Sequence, residues 1–418
     1  MKDTFKFTVK TLGCKVNRVE SETMMLDLAG YDVELVDEYE HADAIIVNTC
    51  SVTGAADAKT RKAIRKMARS PRCSSVIVTG CSAALHEKEL LQLDEKVRVV
   101  VDKSAVANFI VDSFSLSVTQ RDDEEHRMRH ENGPLFRTRS FVKVQDGCEN
   151  FCSYCIVPYA RGVCASTPFR EIVAQVESLV SEGKKEIVLT GINIGRYRDE
   201  ADGIFDISDL IEAVAETGIA RIRVSSIEPV DVDEKFASLF ERVPQMCEHV
   251  HIPLQSGSNT VLQRMNRRYT TEEFARSIAL LRAASPDIAL TTDVIVGYPH
   301  ETDEEFDRTV RFCEEIGFSK IHVFRYSPRN GTPAALEEQI PARIVASRAD
   351  ELGKVSDGLV RRYRARFAGK PLEVLVERNS EGRITGTSRE YLHVELDFDT
   401  YAHVEISPVR GGIVTVIG

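Results

Sequence analysis

Six of the ten cysteines carry most of the chemistry this sequence could do, and they fall into two sets. Cys148, Cys152 and Cys155 stand at C-x3-C-x2-C, just after the alternating apolar run Phe141, Val142, Val144. Thiolates this close in sequence can grip one iron–sulfur cluster from a single loop. A four-iron cubane is usually held by four cysteines. A local set of three leaves one iron open to bind and activate a small molecule. A structural zinc knuckle and three plain buried thiols are the alternatives. Zinc asks for a fourth Cys or His in a paired arrangement. A bacterial-type ferredoxin asks for a fourth Cys followed by Pro, and Cys164-Ala165 is not that.

The second set, Cys14, Cys50 and Cys81, is scattered, so only the fold can bring it together. Residues 1–115 read as alternating strand and helix. Strands are predicted at Phe5 to Thr11, Ala44 to Val47, Val76 to Val78 and Val97 to Val101. Helices are predicted at Asn17 to Ala29, stopped by Gly30, at Val52 to Arg69, ended by Pro71, and from past Cys81 through Leu93. That order implies a doubly wound parallel sheet. Cys14, Cys50 and Cys81 each follow a strand, at the edge where open α/β sheets assemble their sites. Any one of them is most simply a small buried residue. Three at equivalent topological positions point to a second cluster. Cys73 precedes its strand and belongs to the opposite edge.

Residues 116–137 include Arg121-Asp122-Asp123-Glu124-Glu125 and have no apolar period, which predicts a charged linker. Residues 138–367 again alternate. Strands are predicted near Phe141 to Val144, Glu186 to Leu189, Arg221 to Val224, His249 to Leu254, Ile288 to Val296 and Lys320 to Phe324. Thr270 with Glu273 and Thr302 with Glu305 read as capping boxes. Six βα units imply a full or partial TIM-like barrel with its chemistry at the carboxyl ends of the strands. A long amphipathic helix, about Ala342 to Phe367, closes it. Residues 368–418 turn all-β, with short strands at Leu372 to Val376, Arg383 to Thr387, Leu392 to Leu396, His403 to Ile406 and Ile413 to Ile417. Five such strands suggest a small OB-like barrel.

The bulk numbers exclude some classes. No apolar run is long enough to span a bilayer, and the first residues lack the apolar core of a signal peptide. A cytoplasmic protein without a membrane partner is expected, and ten cysteines there point to metal or redox chemistry, not disulfides. The net charge of −11 argues against indiscriminate coating of nucleic acid, though not against a local basic surface. Candidates for such a surface are the run Lys59 to Lys66, Arg264, Arg267 and Arg268, and above all Arg361 to Arg366. Cys164, Cys247 and Cys313 have no ligand-like partners in the sequence. No P-loop or dinucleotide fingerprint is present.

The C-x3-C-x2-C loop, with Tyr154 just before its last cysteine, resembles the signature of the radical S-adenosylmethionine (SAM) superfamily. In that superfamily the amino and carboxylate groups of SAM chelate the open iron. Over nearly all 418 residues the chain resembles the methylthiotransferases. These have an amino-terminal domain with three cluster cysteines, a radical SAM barrel and a carboxyl-terminal TRAM domain. The matching motifs are Thr11-Leu12-Gly13-Cys14-Lys15-Val16-Asn17, Asn48-Thr49-Cys50, Thr79-Gly80-Cys81 and Pro158-Tyr159-Ala160-Arg161-Gly162. The first looks like the branch that modifies N6-threonylcarbamoyladenosine in tRNA.

This resemblance implies two 4Fe–4S clusters, one on Cys148, Cys152 and Cys155 and one on Cys14, Cys50 and Cys81. It implies a SAM pocket built from strand ends: Gly191 and Asn193, Ser225 and Glu228, His251 and Gln255, Thr292, Asp293 and Gly297, with Tyr154. It further implies a 5′-deoxyadenosyl radical that removes hydrogen from C2 of the adenosine, and sulfur delivered from the second cluster and methylated by another SAM. No side-chain acid or base is required. The partners would be the tRNA anticodon stem-loop bearing threonylcarbamoyladenosine at position 37 and an electron donor such as flavodoxin or ferredoxin. Two alternatives stand beside this reading. One keeps the chemistry but acts on N6-isopentenyladenosine in tRNA or a ribosomal-protein aspartate. The other is an iron–sulfur module that binds RNA or senses redox state. The sequence departs from the family at Val163-Cys164, where arginines and serines are usual, at His300, and in its acidic tail.

Overall fold

The computed structural model describes residues 4–118, 138–378, 384–396 and 412–417. The charged run at 121–127 and the tail strand expected at 403–406 lie outside them. The chain divides into two compact units, Met1–Phe136 with Cys155–Gly162, and Arg137–Tyr154 with Val163–Gly418.

In the first unit the elements are β1 (Phe5–Thr11), α1 (Lys15–Ala29), β2 (Val33–Leu35), β3 (Ala44–Thr49), α2 (Gly54–Ala68), β4 (Ser75–Gly80), α3 (Cys81–Leu91), β5 (Val97–Val99), α4 (Val106–Phe114) and α5 (Val157–Arg161). The strands form one parallel sheet in the order β2-β1-β3-β4-β5. The residues of β3 explain the two layers of helix. Ile45 and Val47 enter a core with Ile64 and Met67 of α2, and Ala44 and Ile46 enter another with Met24 and Leu28 of α1. A strand apolar on both faces needs helices on both. Two elements before residue 115 escaped the sequence reading. β2 is only three residues long, and α4 follows a short turn held by Asp102, which accepts from the Ser104 N–H. Gly30 ends α1 where expected, with φ −73° in the right-handed region.

The second unit holds β6 (Arg139–Lys143), β7 (Gln145–Asp146), β8 (Ala165–Ser166), α6 (Phe169–Ser181), β9 (Glu186–Thr190), α7 (Ile207–Ala215), β10 (Arg221–Val224), α8 (Glu234–Arg242), β11 (His249–His251), α9 (Asn259–Arg264), α10 (Thr271–Ala284), β12 (Ala289–Val296), α11 (Asp303–Ile316), β13 (Lys320–Arg325) and α12 (Ala342–Ala365). Two parallel sheets, β6-β9-β10 and β11-β12-β13, are joined by the bridge Ser226↔His251. Six strands therefore run in chain order from β6 to β13, as a partial barrel. Both predicted capping boxes are present, opening α10 and α11. Four antiparallel strands follow: β14 (Pro371–Arg378), β15 (Ile384–Ser388), β16 (His393–Glu395) and β17 (Gly412–Ile417). Their apolar face packs on Tyr363 and Phe367 at the end of α12. Buried Glu186 pairs with Arg221 and Arg223, and Arg223 reaches on to the Ser388 carbonyl at 2.6 Å, stitching barrel to tail. Among the described residues no helix is long and apolar enough to cross a membrane.

Candidate metal centres and cofactor pocket

The order β2-β1-β3-β4-β5 is that of flavodoxin-like sheets, whose ligands sit at the switch point between β1 and β3, beyond the carboxyl ends. Cys14 follows β1, Cys50 follows β3 and Cys81 follows β4, on three adjacent strands. A buried amide pair holds the first two loops. Asn17 donates to Asn48 Oδ1 at 2.9 Å and to the Thr49 carbonyl at 3.1 Å, and Asn48 donates to the Asn17 carbonyl at 2.8 Å. The Cys14 N–H and thiol both donate to Asn17 Oδ1. Gly13 must be bare, because a Cβ there would stand 2.5 Å from Asn17 Oδ1 and 3.1 Å from Cys50 Cβ. Gly80 has φ +90° and ψ −164°, a region open only to glycine, and its missing Cβ would press on the Thr49 carbonyl. Gly80→Ala is therefore expected to destabilise this unit by about 3 kcal/mol, lowering its melting temperature by roughly 10 °C. A thermal melt within about 2 °C of wild type would contradict this account of the loop.

The three thiols are near enough to feel one another. Burial pushes the Cys50 thiol up, against a hydrogen bond from the Val52 N–H, and Cys81 and Cys14 push it further. Burial also raises Cys81, opposed by Arg161 and Lys103. Arg161, at the end of α5, has a side chain only 1% exposed and pairs with buried Glu20 at 2.8 Å; Lys103 holds the same carboxylate at 2.7 Å. Burial works against the Glu20 charge, but these two cations hold its carboxyl below the usual range. Among the described residues no group of three or more His, Cys, Asp or Glu could hold a single metal ion. A four-iron cluster is a larger object, and three converging thiols with a guanidinium beside one of them suit its anionic, all-sulfur shell. The sequence reading placed the cysteines but missed Glu20 and the position of Arg161. Arg161 lay in a quoted motif, and nothing local ties it to Glu20.

In the second unit the loop carrying Cys148 and Cys152 is held from two sides. Fully buried Gln145 donates to the carbonyls of Asp146 (2.6 Å) and Gly147 (2.9 Å), while its Oε1 accepts from the N–H groups of Ile192 (3.1 Å) and Asn193 (2.7 Å). The segment after α9 supports the other side. Ser153 donates to the Arg264 carbonyl, and Asn266 donates to the Phe151 carbonyl at 3.0 Å. Arg267 donates to Cys152 Sγ at 3.3 Å, pairs with Glu228 and stacks over Tyr269. Burial raises the Cys148 thiol, and the nearby sulfurs of Cys152 and Cys164 add to the rise. Cys155 opens the segment that belongs to the first unit.

The residues expected to line a SAM pocket divide into two kinds. Asn193 and Ser225 are buried with side-chain polar atoms that find no partner among the described residues. Asn193 borders a cavity of about 610 Å3 beside the cysteine loop. Glu228 lies with Cys152 on a second, narrow cleft. His251 is held by Thr291 at 3.0 Å and Asp293 at 3.3 Å, and Gln255 adopts φ +65°. For the others, packing already accounts for the residue type. A Cβ at Gly191 would stand 2.9 Å from the Gln145 carbonyl, and one at Gly297 2.5 Å from Val345. The Thr292 hydroxyl bridges the Leu254 N–H and the Ile252 carbonyl. Tyr154 packs against the cluster of Val261, Met265, Tyr298 and Ala334.

Several expected basic contacts are otherwise engaged. Arg267 is buried, Arg264 pairs with Glu305, and Arg366 pairs with Asp287. Lys59, Lys62, Arg65 and Lys66 of α2 are exposed, as are Arg361, Arg362 and Arg364 of α12. Cys164, unassigned in the sequence, lies near Cys148.

Comparison with known proteins adds to this geometry. Residues 6–102 match the uncharacterized protein family UPF0004, and residues 142–313 match the Radical SAM superfamily. The threonylcarbamoyladenosine tRNA methylthiotransferase MtaB of Chlamydia pneumoniae is 37% identical over 93% of this chain and 90% of its own. The tRNA-2-methylthio-N(6)-dimethylallyladenosine synthase of Thermodesulfovibrio yellowstonii is 36% identical over 94% of this chain and 93% of its own. Among solved structures, the radical S-adenosylmethionine methyltransferase TsrM from Kitasatospora setae aligns with a TM-score of 0.58 at 14% identity, over 80% of this chain and 77% of that one, which is a likeness of fold.

Proposed function

The chain belongs to the radical SAM methylthiotransferases, and from that premise we propose that it converts N6-threonylcarbamoyladenosine at position 37 of tRNA, beside the anticodon, to its 2-methylthio form. The observation that carries this reading is the convergence of Cys14, Cys50 and Cys81 at the ends of three adjacent strands. It gives the chain a second thiol site apart from the C-x3-C-x2-C loop. When bound, two 4Fe–4S clusters and SAM supply a radical able to take hydrogen from an aromatic carbon, and the sulfur and methyl group that replace it.

The chain's own residues bind and orient. Cys148, Cys152 and Cys155 hold one cluster and leave an iron for SAM; Cys14, Cys50 and Cys81 hold the other. Gln145 fixes the first loop against the end of β9, so Asn193 keeps a set position relative to Cys148. Asn193, Ser225, Glu228 and the group His251, Gln255 and Asp293 provide the polar lining for SAM, with Gly191, Thr292, Gly297 and Tyr154 shaping the backbone around it. Arg161 sets a positive charge beside Cys81. Residues 1–115 would carry the sulfur site, 138–367 the radical site and 368–418 an RNA-binding module. An electron donor such as flavodoxin or ferredoxin and a cytoplasmic setting complete the reading.

The opening Thr11-Leu12-Gly13-Cys14-Lys15-Val16-Asn17 favours the threonylcarbamoyl substrate. Near-equal identity to the T. yellowstonii enzyme supports the dimethylallyl nucleoside as the second reading. Mass spectrometry of tRNA nucleosides from a deletion strain separates them. We expect the 2-methylthio-threonylcarbamoyl nucleoside to vanish and its precursor to accumulate. Its persistence in a strain with no second enzyme of this kind would reject the substrate.

A further inference from the structure

The cavity of about 610 Å3 beside the cysteine loop is ringed by Arg196 and Arg198, which follow β9, and by Arg268, which follows α9. None of the three guanidinium groups forms an ion pair or hydrogen bond among the described residues, although both neighbours of Arg268 on the same segment, Arg267 and Tyr269, are fully engaged. Buried Asn193 borders the same space with both amide atoms unpartnered. Besides Glu228, whose charge is taken up by Arg267, two acidic groups are close. Glu149, on the rim, accepts the Cys164 N–H at 3.3 Å. Half-buried Asp231 lies against Gly195 and feels the charges of Arg196 and Arg198. Three cations against two carboxylates, one of them capped by a backbone donor, leave the cavity suited to an added anion.

We propose that Arg196, Arg198 and Arg268, across the cavity from the SAM-lining Asn193, receive the carboxylate of the threonylcarbamoyl group and so select this substrate over an alkyl-substituted adenosine. The inference rests on the threonylcarbamoyl reading above. Planar guanidinium groups take a carboxylate through paired charge-assisted hydrogen bonds. The same groups would be stripped of water without compensation by an isopentenyl chain. The placement suits the reaction. Glu149, Asn150 and Phe151 of the wall lie between Cys148 and Cys152, and C2 and C6 of adenine both flank N1, so a group on N6 reaches past the reacting carbon. Arg198 and Arg268 are exposed and Arg196 is half-buried, so the discrimination should be about 10–100-fold, below that of a sealed polar site.

The test is binding of the reconstituted full chain to synthetic anticodon stem-loops that carry the threonylcarbamoyl acid, its methyl ester, isopentenyladenosine or plain adenosine. Wild type should bind the acid about 10–100-fold tighter than the ester. R196A and R268A should bring that ratio near one, and R196K and R268K should restore part of it, because charge is kept while the fork is lost. SAM affinity by equilibrium dialysis should stay within about twofold. An acid-to-ester ratio that survives in the alanine variants overturns the assignment. So does an equal loss for all four RNAs, which would make the cavity a phosphate site, and so does a loss of SAM in place of the ratio, which would give the arginines to the cofactor's carboxylate. A wild type that prefers the isopentenyl stem-loop defeats the substrate reading itself, a different result from a preference for the acid that the variants retain.

Discussion

Replacing Cys14, Cys50 and Cys81 together by alanine is expected to remove about half of the iron from anaerobically reconstituted protein and to abolish methylthio product, while SAM is still cleaved to 5′-deoxyadenosine with dithionite. The companion triple at Cys148, Cys152 and Cys155 should also lose about half of the iron but form no 5′-deoxyadenosine. The contrast follows from the two supports. The first set hangs on β1, β3 and β4 and their Asn17–Asn48 brace, and the loop holding Cys148 and Cys152 hangs on Gln145 and the segment 264–269. Alanine removes the thiol contacts of Cys14 with Asn17 and of Cys152 with Arg267, but it leaves the Asn17–Asn48 brace and the Gln145 and Ser153 hydrogen bonds in place, so each unit should keep its fold, which circular dichroism would verify. Iron content unchanged in the first triple would refute a sulfur site at that edge. Loss of 5′-deoxyadenosine in both would mean that the two sets do not act independently.

Much of this layout was legible because it depends on counting. Cys14, Cys50 and Cys81 each follow a strand whose apolar run marks it as buried, and parallel strands put their carboxyl ends on one edge. The two capping boxes, Thr270–Glu273 and Thr302–Glu305, are local enough to be read directly. Interactions that depend on distant chain were not. Glu20 and Arg161 are 141 residues apart, and no periodicity relates them. Glycines were ambiguous for a different reason. At Gly191 and Gly297 the absence of a Cβ fits close approach of a ligand, but it fits equally the Gln145 carbonyl and Val345 that stand there. Sequence alone gives the need for a bare backbone and not the object that presses on it. The same holds for Thr292, whose hydroxyl is spent between two backbone groups of the neighbouring β11 loop.

Arg267 and Arg268 make the sharpest case, and Arg267→Met is expected to destabilise the second unit by about 3 kcal/mol and to lower retention of the cluster at Cys148 and Cys152, whereas Arg268→Met should stay within about 0.5 kcal/mol and keep its iron. In the sequence the pair reads as one basic spot suited to RNA phosphate. In the fold they part. The Arg267 side chain is 4% exposed, donates to Cys152 Sγ, pairs with Glu228 and contacts the Tyr269 hydroxyl at 3.1 Å, while Arg268 faces the cavity. Burial disfavours the Arg267 charge, but Tyr269, Tyr154 and Glu228 more than offset that, so its proton is held firmly. Methionine there would leave Glu228 charged and largely enclosed. Stranding one member of a buried pair costs about 3–5 kcal/mol, and the 17% exposure of Glu228 places this case at the low end. The double change Arg267→Met with Glu228→Gln should recover part of the loss by removing the stranded charge, and a cycle of melts would measure it. Equal tolerance of methionine at 267 and 268 would show that the guanidinium beside Cys152 does not support the loop. Lower iron in the 267 variant at an unchanged melting temperature would instead put its role at the thiolate itself, where a cation favours the charged sulfur that the cluster needs.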